Sequence, residues 1–239
     1  MGGIMFGYYD IPFRIIEKGI SLFIDKEGEN LLYRREYGVE KVEKILLGSN
    51  GKILINPIEP VTKPKELTPY LLIELDRALV VEPKGTKKIF VTFPIEIGVF
   101  IRKGEDSTIL DTFTLMKQKF TLYGDPRSGF ICRYFKSSVY SVIPSVDRVH
   151  EGVMELNITN TTTGWVEVTK AMFNAYGMKI YYSDNLVSMR ANMKVKSSQI
   201  AENDFDDSPL EVEMKKSVEL FSTRKLSITT TKSIMELGI

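Results

Sequence analysis

The sequence predicts an all-β protein with an antiparallel, β-sandwich-like architecture and very little helix. Apolar and polar side chains alternate in several segments, turn-forming residues recur at short intervals, and helical periodicity is scarce. The clearest alternation lies in Val187–Lys196, where apolar residues occupy every second position. A strand places these side chains on one face, whereas a helix would spread them around its circumference.

Two further segments show the same period of two, Met154–Thr159 and Leu226–Thr230, and both are predicted as strands with one solvated face. Turn chemistry agrees with this interpretation. Asn50-Gly51 stands between Glu43–Leu47 and Lys52–Ile55, and this dipeptide tolerates the positive φ angles of a type I′ turn. We therefore expect a β-hairpin at that position.

The chain is predicted to form two β-rich domains, a larger one at residues 1–148 and a smaller sandwich-like one at 149–239. The strands before Val149 are the most continuously apolar, and those after it alternate cleanly. A proline-rich stretch at residues 56–70 is predicted as an extended crossover, because proline removes a backbone donor and disfavours helix before it.

Acidic residues cluster in Glu202–Asp207, within a segment, Ile200–Pro209, that we predict as a solvated loop. Several carboxylates close together suggest calcium, but the spacing of an EF-hand loop is absent. The chain has one cysteine, Cys132, and one histidine, His150, so a cysteine-based zinc cage and a multi-histidine site are excluded. No metal site, no cofactor and no catalytic residue is predicted.

The balance of acidic and basic residues gives the chain no large excess of positive charge for binding nucleic acid. There are 32 basic and 31 acidic residues, which gives a net charge of +1, and we therefore expect no nucleic-acid partner. No apolar run approaches the roughly 18 to 20 residues of a membrane span. Residues 1–20 lack the basic and apolar regions of a signal peptide, so the expected location is the cytoplasm.

Two segments carry charges inside otherwise apolar strands and form the candidate binding site. Glu96 stands within Phe93–Phe100, and Arg133 stands within Gly129–Phe135. A buried charge is costly unless it is paired or hydrogen-bonded. Three interpretations are compatible with the sequence: the two residues form a structural pair, they are separate charges at a sheet rim, or they are parts of a ligand site. The candidate binding residues, with the polar loop before the second strand, are Glu96, Asp125, Arg127, Arg133 and Tyr134.

Three runs near these residues, Pro94–Val99, Leu122-Tyr123-Gly124 and Ile131–Tyr134, resemble an uncharacterised, mainly archaeal family known only as a domain of unknown function. The similarity extends from about Gly51 to Val195. The resemblance implies an archaeal cytoplasmic setting, and it supplies neither an activity nor catalytic residues.

Two classes of function are compatible with the sequence. The favoured one is a non-enzymatic binding or protein-interaction module, because no nucleophile–base pair, metal spacing or nucleotide-binding loop is found. Its partner would be a protein or a small molecule, and exposed strand edges would also permit a homodimer. The alternative is a carboxylate-dependent hydrolase acting on a carbohydrate-like substrate, since paired Asp and Glu residues need no sequence motif.

Overall fold

A computed structural model describes residues 6–48, 51–62, 67–104, 106–220 and 232–239. Within these ranges the chain is almost entirely β-strand, with one short 3₁₀ helix at Ala175–Gly177, so the predicted all-β class is confirmed. The strands are β1 Gly7–Asp10, β2 Phe13–Glu17, β3 Ile20–Glu27, β4 Asn30–Tyr37, β5 Glu40–Leu46, β6 Lys52–Ile58, β7 Tyr70–Val81, β8 Thr86–Pro94, β9 Glu96–Lys103, β10 Asp106–Phe113, β11 Phe120–Tyr123, β12 Phe130–Ser137, β13 Glu151–Asn160, β14 Val166–Asn174, β15 Tyr181–Tyr182, β16 Val187–Val195, β17 Ala201–Asp206, β18 Lys215–Lys216 and β19 Ser233–Met235.

The chain divides into two compact units. Unit 1 comprises the described residues of Met1–Asn56 and Ile97–Thr112, and unit 2 those of Pro57–Glu96 and Phe113–Ile239. The boundary predicted near Val149 falls inside unit 2, where β8 and β13 are antiparallel neighbours from either side of it. The division into residues 1–148 and 149–239 stays a prediction.

Unit 1 contains a four-stranded meander in the order β2-β3-β4-β5 and a second sheet in the order β1-β6-β9-β10. The hairpin predicted at Asn50-Gly51 is wrong in its pairing, because β5 pairs with β4 whereas β6 pairs with β1. Asn50 itself lies outside the described residues. The meander ends at β5, and β6 belongs to the other sheet, so the strands on either side of Asn50-Gly51 are not neighbours.

Unit 2 contains the four-stranded sheet β11-β12-β7-β14 and a seven-stranded sheet built around β16, β13 and β8. Two ladders are parallel, β12 with β7 and β13 with β16, and the remaining described ladders are antiparallel. The alternation predicted in Val187–Lys196 is confirmed by β16, whose residues Val187, Met189, Ala191, Met193 and Val195 are buried.

The seven-stranded sheet corrects the prediction that the acidic segment is a loop. Residues 201–206 are strand β17 and not a solvated loop, because their acidic side chains lie opposite polar and basic partners on β16: Asn192 opposes Asp204, and Lys194 opposes Glu202. The strand predicted at Leu226–Thr230 lies outside the described residues.

The proline-rich segment connects β6 to β7. Strand β6 continues to Ile58, so the first residues of the crossover predicted at 56–70 belong to a strand, and β7 begins at its last residue, Tyr70. Pro64 lies outside the described residues. No helix in the described part of the chain is long and apolar enough to cross a membrane.

Candidate functional site

Strands β11 and β12 form an antiparallel hairpin in unit 2, and a hydrogen-bonded turn joins them. One carboxylate oxygen of Asp125 accepts hydrogen bonds from the backbone N–H groups of Arg127 at 2.8 Å and Ser128 at 3.3 Å. The Ser128 hydroxyl donates to the other oxygen at 2.8 Å, and these hydrogen bonds lower the pKa of Asp125. Gly124 adopts a φ of +93°, which favours glycine at the start of the turn. The Asp125 carboxylate thus stabilises this turn.

A cavity of about 230 Å³ lies beside β12 in unit 2. Its walls come from the end of β8, the segment before β11, the middle of β12 and the first residue of β13. Four of the lining residues are basic and one is acidic, so their formal charges add up to +3. The lining residues are Pro94, Met116, Lys117, Lys119, Arg133, Tyr134, Phe135, Lys136 and Glu151.

Arg133 is the buried cation of this cavity, with only 2% of its surface exposed. Its Nε and Nη1 atoms are enclosed and have no hydrogen-bond partner among the described residues. The guanidinium carbon lies 5.7 Å from the centroid of the Phe120 ring, which is directly opposite on β11. Burial lowers the pKa of Arg133, and the charge of Glu96 opposes that effect. The guanidinium stays charged, because its unperturbed pKa exceeds 12.

Glu96 is fully buried and has hydrogen-bond donors of its own. One oxygen accepts from the backbone N–H of Thr62 at 3.2 Å and from the Thr62 hydroxyl, and the other accepts from the Gln118 side-chain amide at 3.3 Å. The charge of Glu96 also acts on Arg133 electrostatically. The Nε and Nη1 groups of the arginine, however, are not hydrogen-bonded to Glu96.

Tyr134 contributes to the cavity wall but uses its hydroxyl elsewhere. Burial raises the pKa of Tyr134, and the charge of Glu74 and a hydrogen bond to it raise the pKa further. The backbone N–H of Tyr134 donates to the Lys119 carbonyl at 2.8 Å, which holds the segment before β11 against β12.

Neither Cys132 nor His150 forms part of the cavity lining. Cys132 is buried, and burial raises the pKa of its thiol to about 12, so the sulfur is protonated at neutral pH. Its environment is that of a small core side chain. The Nδ1 atom of His150 lies 3.0 Å from a carboxylate oxygen of Asp147.

A second concavity, of about 510 Å³, lies in unit 1 and is more open. It is also basic, with Lys52, Arg102 and Lys103 in its lining. Arg102 donates to the hydroxyl of Tyr8, and Lys52 lies 3.4 Å from a carboxylate oxygen of Asp10. Lys52 and Arg102 each have one such partner, although the Nε atom of Arg102 lacks a hydrogen bond among the described residues, as the Nε atom of Arg133 does.

The structure thus brings Arg133 and Tyr134 to one cavity and places Glu96 within electrostatic range of Arg133. Asp125 and Arg127 lie in the β11–β12 turn and are not lining residues. Sequence reasoning missed the rest of the charged lining, although the Lys-Gln-Lys spacing just before β11 was a signal for two of its members. The missed residues are Lys117, Lys119, Lys136 and Glu151.

The fold and the cavity define an all-β protein with a cation-lined concavity against one sheet. The chain belongs to the family of proteins of unknown function DUF432, whose model matches residues 5–236. This confirms the resemblance to a family without known function and extends it beyond Gly51–Val195. Searches of curated proteins and of solved structures gave no match.

Proposed function

We propose that this protein is a non-enzymatic binding protein that holds the carboxylate or phosphate group of a small molecule in the cavity beside β12. One observation carries the proposal: Arg133 is buried, lines the cavity, and has two N–H-bearing nitrogens without hydrogen-bond partners among the described residues. Buried donors without acceptors cost free energy, and a bound anion would remove that cost.

The chemistry of the lining supports an anion. A guanidinium presents its donors in a planar fork that matches two oxygens of a carboxylate or a phosphate. Lys117, Lys119 and Lys136 are exposed, so they would attract the anion without a large desolvation cost. Glu96 partly balances Arg133 from within the protein, which explains how the free site tolerates a buried cation.

The volume of the cavity supports a small ligand. A water molecule occupies about 30 Å³ in the liquid, so 230 Å³ holds about eight waters. That space accommodates inorganic phosphate or the acid group of a small organic molecule. It is below the roughly 300–1,000 Å³ typical of sites that enclose drug-sized ligands.

The alternative, a carboxylate-dependent hydrolase, has less support from this cavity. Glycoside hydrolysis uses two carboxyl groups about 5–9.5 Å apart on either side of the scissile bond. Among the described residues that line the cavity, Glu151 is the carboxylate, and the other four charged residues are cations.

The location and the oligomeric state follow from the sequence alone. We propose that the protein binds its ligand in the cytoplasm. A homodimer through exposed strand edges remains a prediction.

Isothermal titration calorimetry with inorganic phosphate and with acetate tests the proposed function. The wild-type protein is expected to bind at least one of them. Arg133→Gln should weaken that binding about 10- to 100-fold, because a hydrogen bond to a charged group contributes about 1.5–3 kcal/mol. Lys119→Gln and Lys136→Gln change exposed side chains, so they should fold normally and weaken binding to a smaller extent.

Arg127→Gln is the matched control, since Arg127 is an arginine of the same hairpin that does not line the cavity. It should bind like the wild type. The proposal is wrong if neither anion binds at millimolar concentration, or if Arg127→Gln weakens binding as much as Arg133→Gln does. Unfolding curves of each variant separate loss of binding from loss of folding.

A further inference from the structure

A row of exposed apolar side chains lies on the β11–β12 hairpin next to Arg133. Phe120 and Leu122 on β11 are 38% and 41% exposed, and Ile131 on β12 is 50% exposed. Phe120 lies opposite Arg133, and Leu122 lies opposite Ile131. Because residues two apart on a strand share a face, all four side chains lie on the same face of the sheet. We call Phe120, Leu122 and Ile131 the apolar row.

The register makes this row continuous. The Tyr134 N–H donates to the Lys119 carbonyl, which makes residues 119 and 134 a hydrogen-bonded pair. Antiparallel pairs alternate, so Phe120–Arg133 and Leu122–Ile131 are non-hydrogen-bonded pairs, whose side chains approach most closely. The Phe120 ring already lies 5.7 Å from the guanidinium carbon of Arg133. The apolar row therefore begins at the cation of the cavity.

We infer that the ligand is an amphiphilic acid, a single small molecule with an anionic head and an aryl or short alkyl group. This inference rests on the proposed function. The head lies in the cavity against Arg133, and the apolar group covers Phe120, Leu122 and Ile131. The +3 charge of the lining residues requires a negatively charged head. The half-exposed apolar row next to Arg133 favours an apolar group at the other end of the ligand.

The dimensions favour a small molecule over a protein or a membrane surface. Phe120 and Leu122 are two residues apart, which is about 7 Å along a strand. A stable protein interface buries about 800 Å² per partner, and three side chains supply far less. A phenyl ring or a short alkyl chain matches this length.

Calorimetric titration with straight-chain carboxylates from acetate to octanoate, each below its micelle concentration, tests the inference. Affinity for the wild type should rise about two- to fourfold with each added methylene until the chain passes Leu122, and then level off. Leu122→Ser and Ile131→Ser change half-exposed side chains, and each should lower the ratio of octanoate to acetate affinity. Val212→Ser removes an apolar side chain that is 97% exposed elsewhere and should leave the ratio unchanged.

The possible failures are distinguishable. If acetate or inorganic phosphate binds and depends on Arg133, but affinity does not change along the series, the inference is wrong and the proposed function stands. If neither inorganic phosphate nor any carboxylate of the series binds, both are wrong. If binding occurs only on vesicles of anionic phospholipid, the ligand is a membrane surface and the inference is overturned.

Discussion

Two buried arginines show how differently the same residue type is used in this protein. In unit 1, Arg35 is 1% exposed, and its Nε and Nη1 atoms donate to Asp111 at 2.7 Å and Glu40 at 3.2 Å. The hydroxyl of Tyr33 also donates to Asp111, at 2.9 Å. Arg133, in unit 2, is equally buried but its corresponding nitrogens lack such acceptors. Arg35 is therefore a structural arginine, whereas we propose that the unpaired nitrogens of Arg133 serve a ligand.

At the same scale, Glu96 and Arg133 should be energetically coupled. Their interaction is electrostatic and lacks hydrogen bonds from Nε and Nη1, so the coupling should fall within the roughly 0.5–3 kcal/mol seen for interacting neighbours. A double-mutant cycle with Glu96→Gln and Arg133→Gln, followed by denaturant unfolding, measures it. The double variant should lose less stability than the sum of the single losses. Strictly additive losses would show that the two charges do not interact.

The sequence identified this pair because each charge interrupts an apolar strand, but it could not identify their surroundings. Thr62 and Gln118, which donate to Glu96, are 34 and 22 residues away in the chain. Asp125 and Arg127 were included because of their proximity in sequence to Arg133, yet the turn directs them to local hydrogen bonds. Of these predicted binding residues, Arg133 and Tyr134 line the cavity and Asp125 and Arg127 do not, and a binding role for any of them stays a prediction.

Among the elements, the strands whose sequences alternate were predicted best. The alternation in β13 and β16 predicted both strands, and β16 alternates between buried and more exposed residues from Met189 to Val195. The solvated face predicted for β13 is wrong in its first half, because Gly152–Leu156 is buried on both faces. β17 was missed because its acidic residues are typical of a solvated loop. In the structure they lie opposite polar and basic residues of β16, Asn192 and Lys194, which the sequence alone does not identify as partners. Pairing partners decide such strands, and a single sequence does not reveal them.

An ion-pair network near β15 and β18 predicts acid sensitivity. Burial alone would raise the pKa of Asp207 and of Glu219, but hydrogen bonds from Lys216 to both, from Tyr181 to Asp207 and from Lys179 to Glu219 lower them. Groups with lowered pKa stabilise the fold above their unfolded pKa, near 4, and lose that contribution as the pH falls through the folded pKa.

Denaturant midpoints of the wild type and Glu219→Gln test this at several pH values. The wild type should be the more stable protein at pH 7, and the difference should shrink below about pH 4 as Glu219 becomes protonated. Glu211→Gln, which changes an exposed glutamate, should follow the wild type throughout. A difference that stays constant from pH 7 to pH 3 would contradict the network's role.

At the scale of the whole molecule, the chain order of strands does not follow their order in the sheets. β12 pairs in parallel with β7 although sixty residues separate their starts at Tyr70 and Phe130, and β13 pairs with both β8 and β16. A contrast between apolar and alternating strands near Val149 was interpreted as a domain boundary. β8 is buried on both faces in Phe90–Pro94 and pairs with β13 within unit 2, and the division at Val149 itself stays a prediction. The apolar content of a strand indicates how far it is buried, but it does not indicate which strands are its neighbours.

The proposed function depends on contact between Arg133 and the anionic group of a ligand. This contact is tested by following the NMR signal of the Arg133 Nε–Hε group during titration with inorganic phosphate. The signal of Arg127 in the same spectrum serves as an internal reference. We predict a saturable shift of the Arg133 signal and slower exchange of its Hε with water, because Nε gains an acceptor, while the Arg127 signal stays in place. An unmoved Arg133 signal, or equal shifts of the two arginines, would contradict the claim.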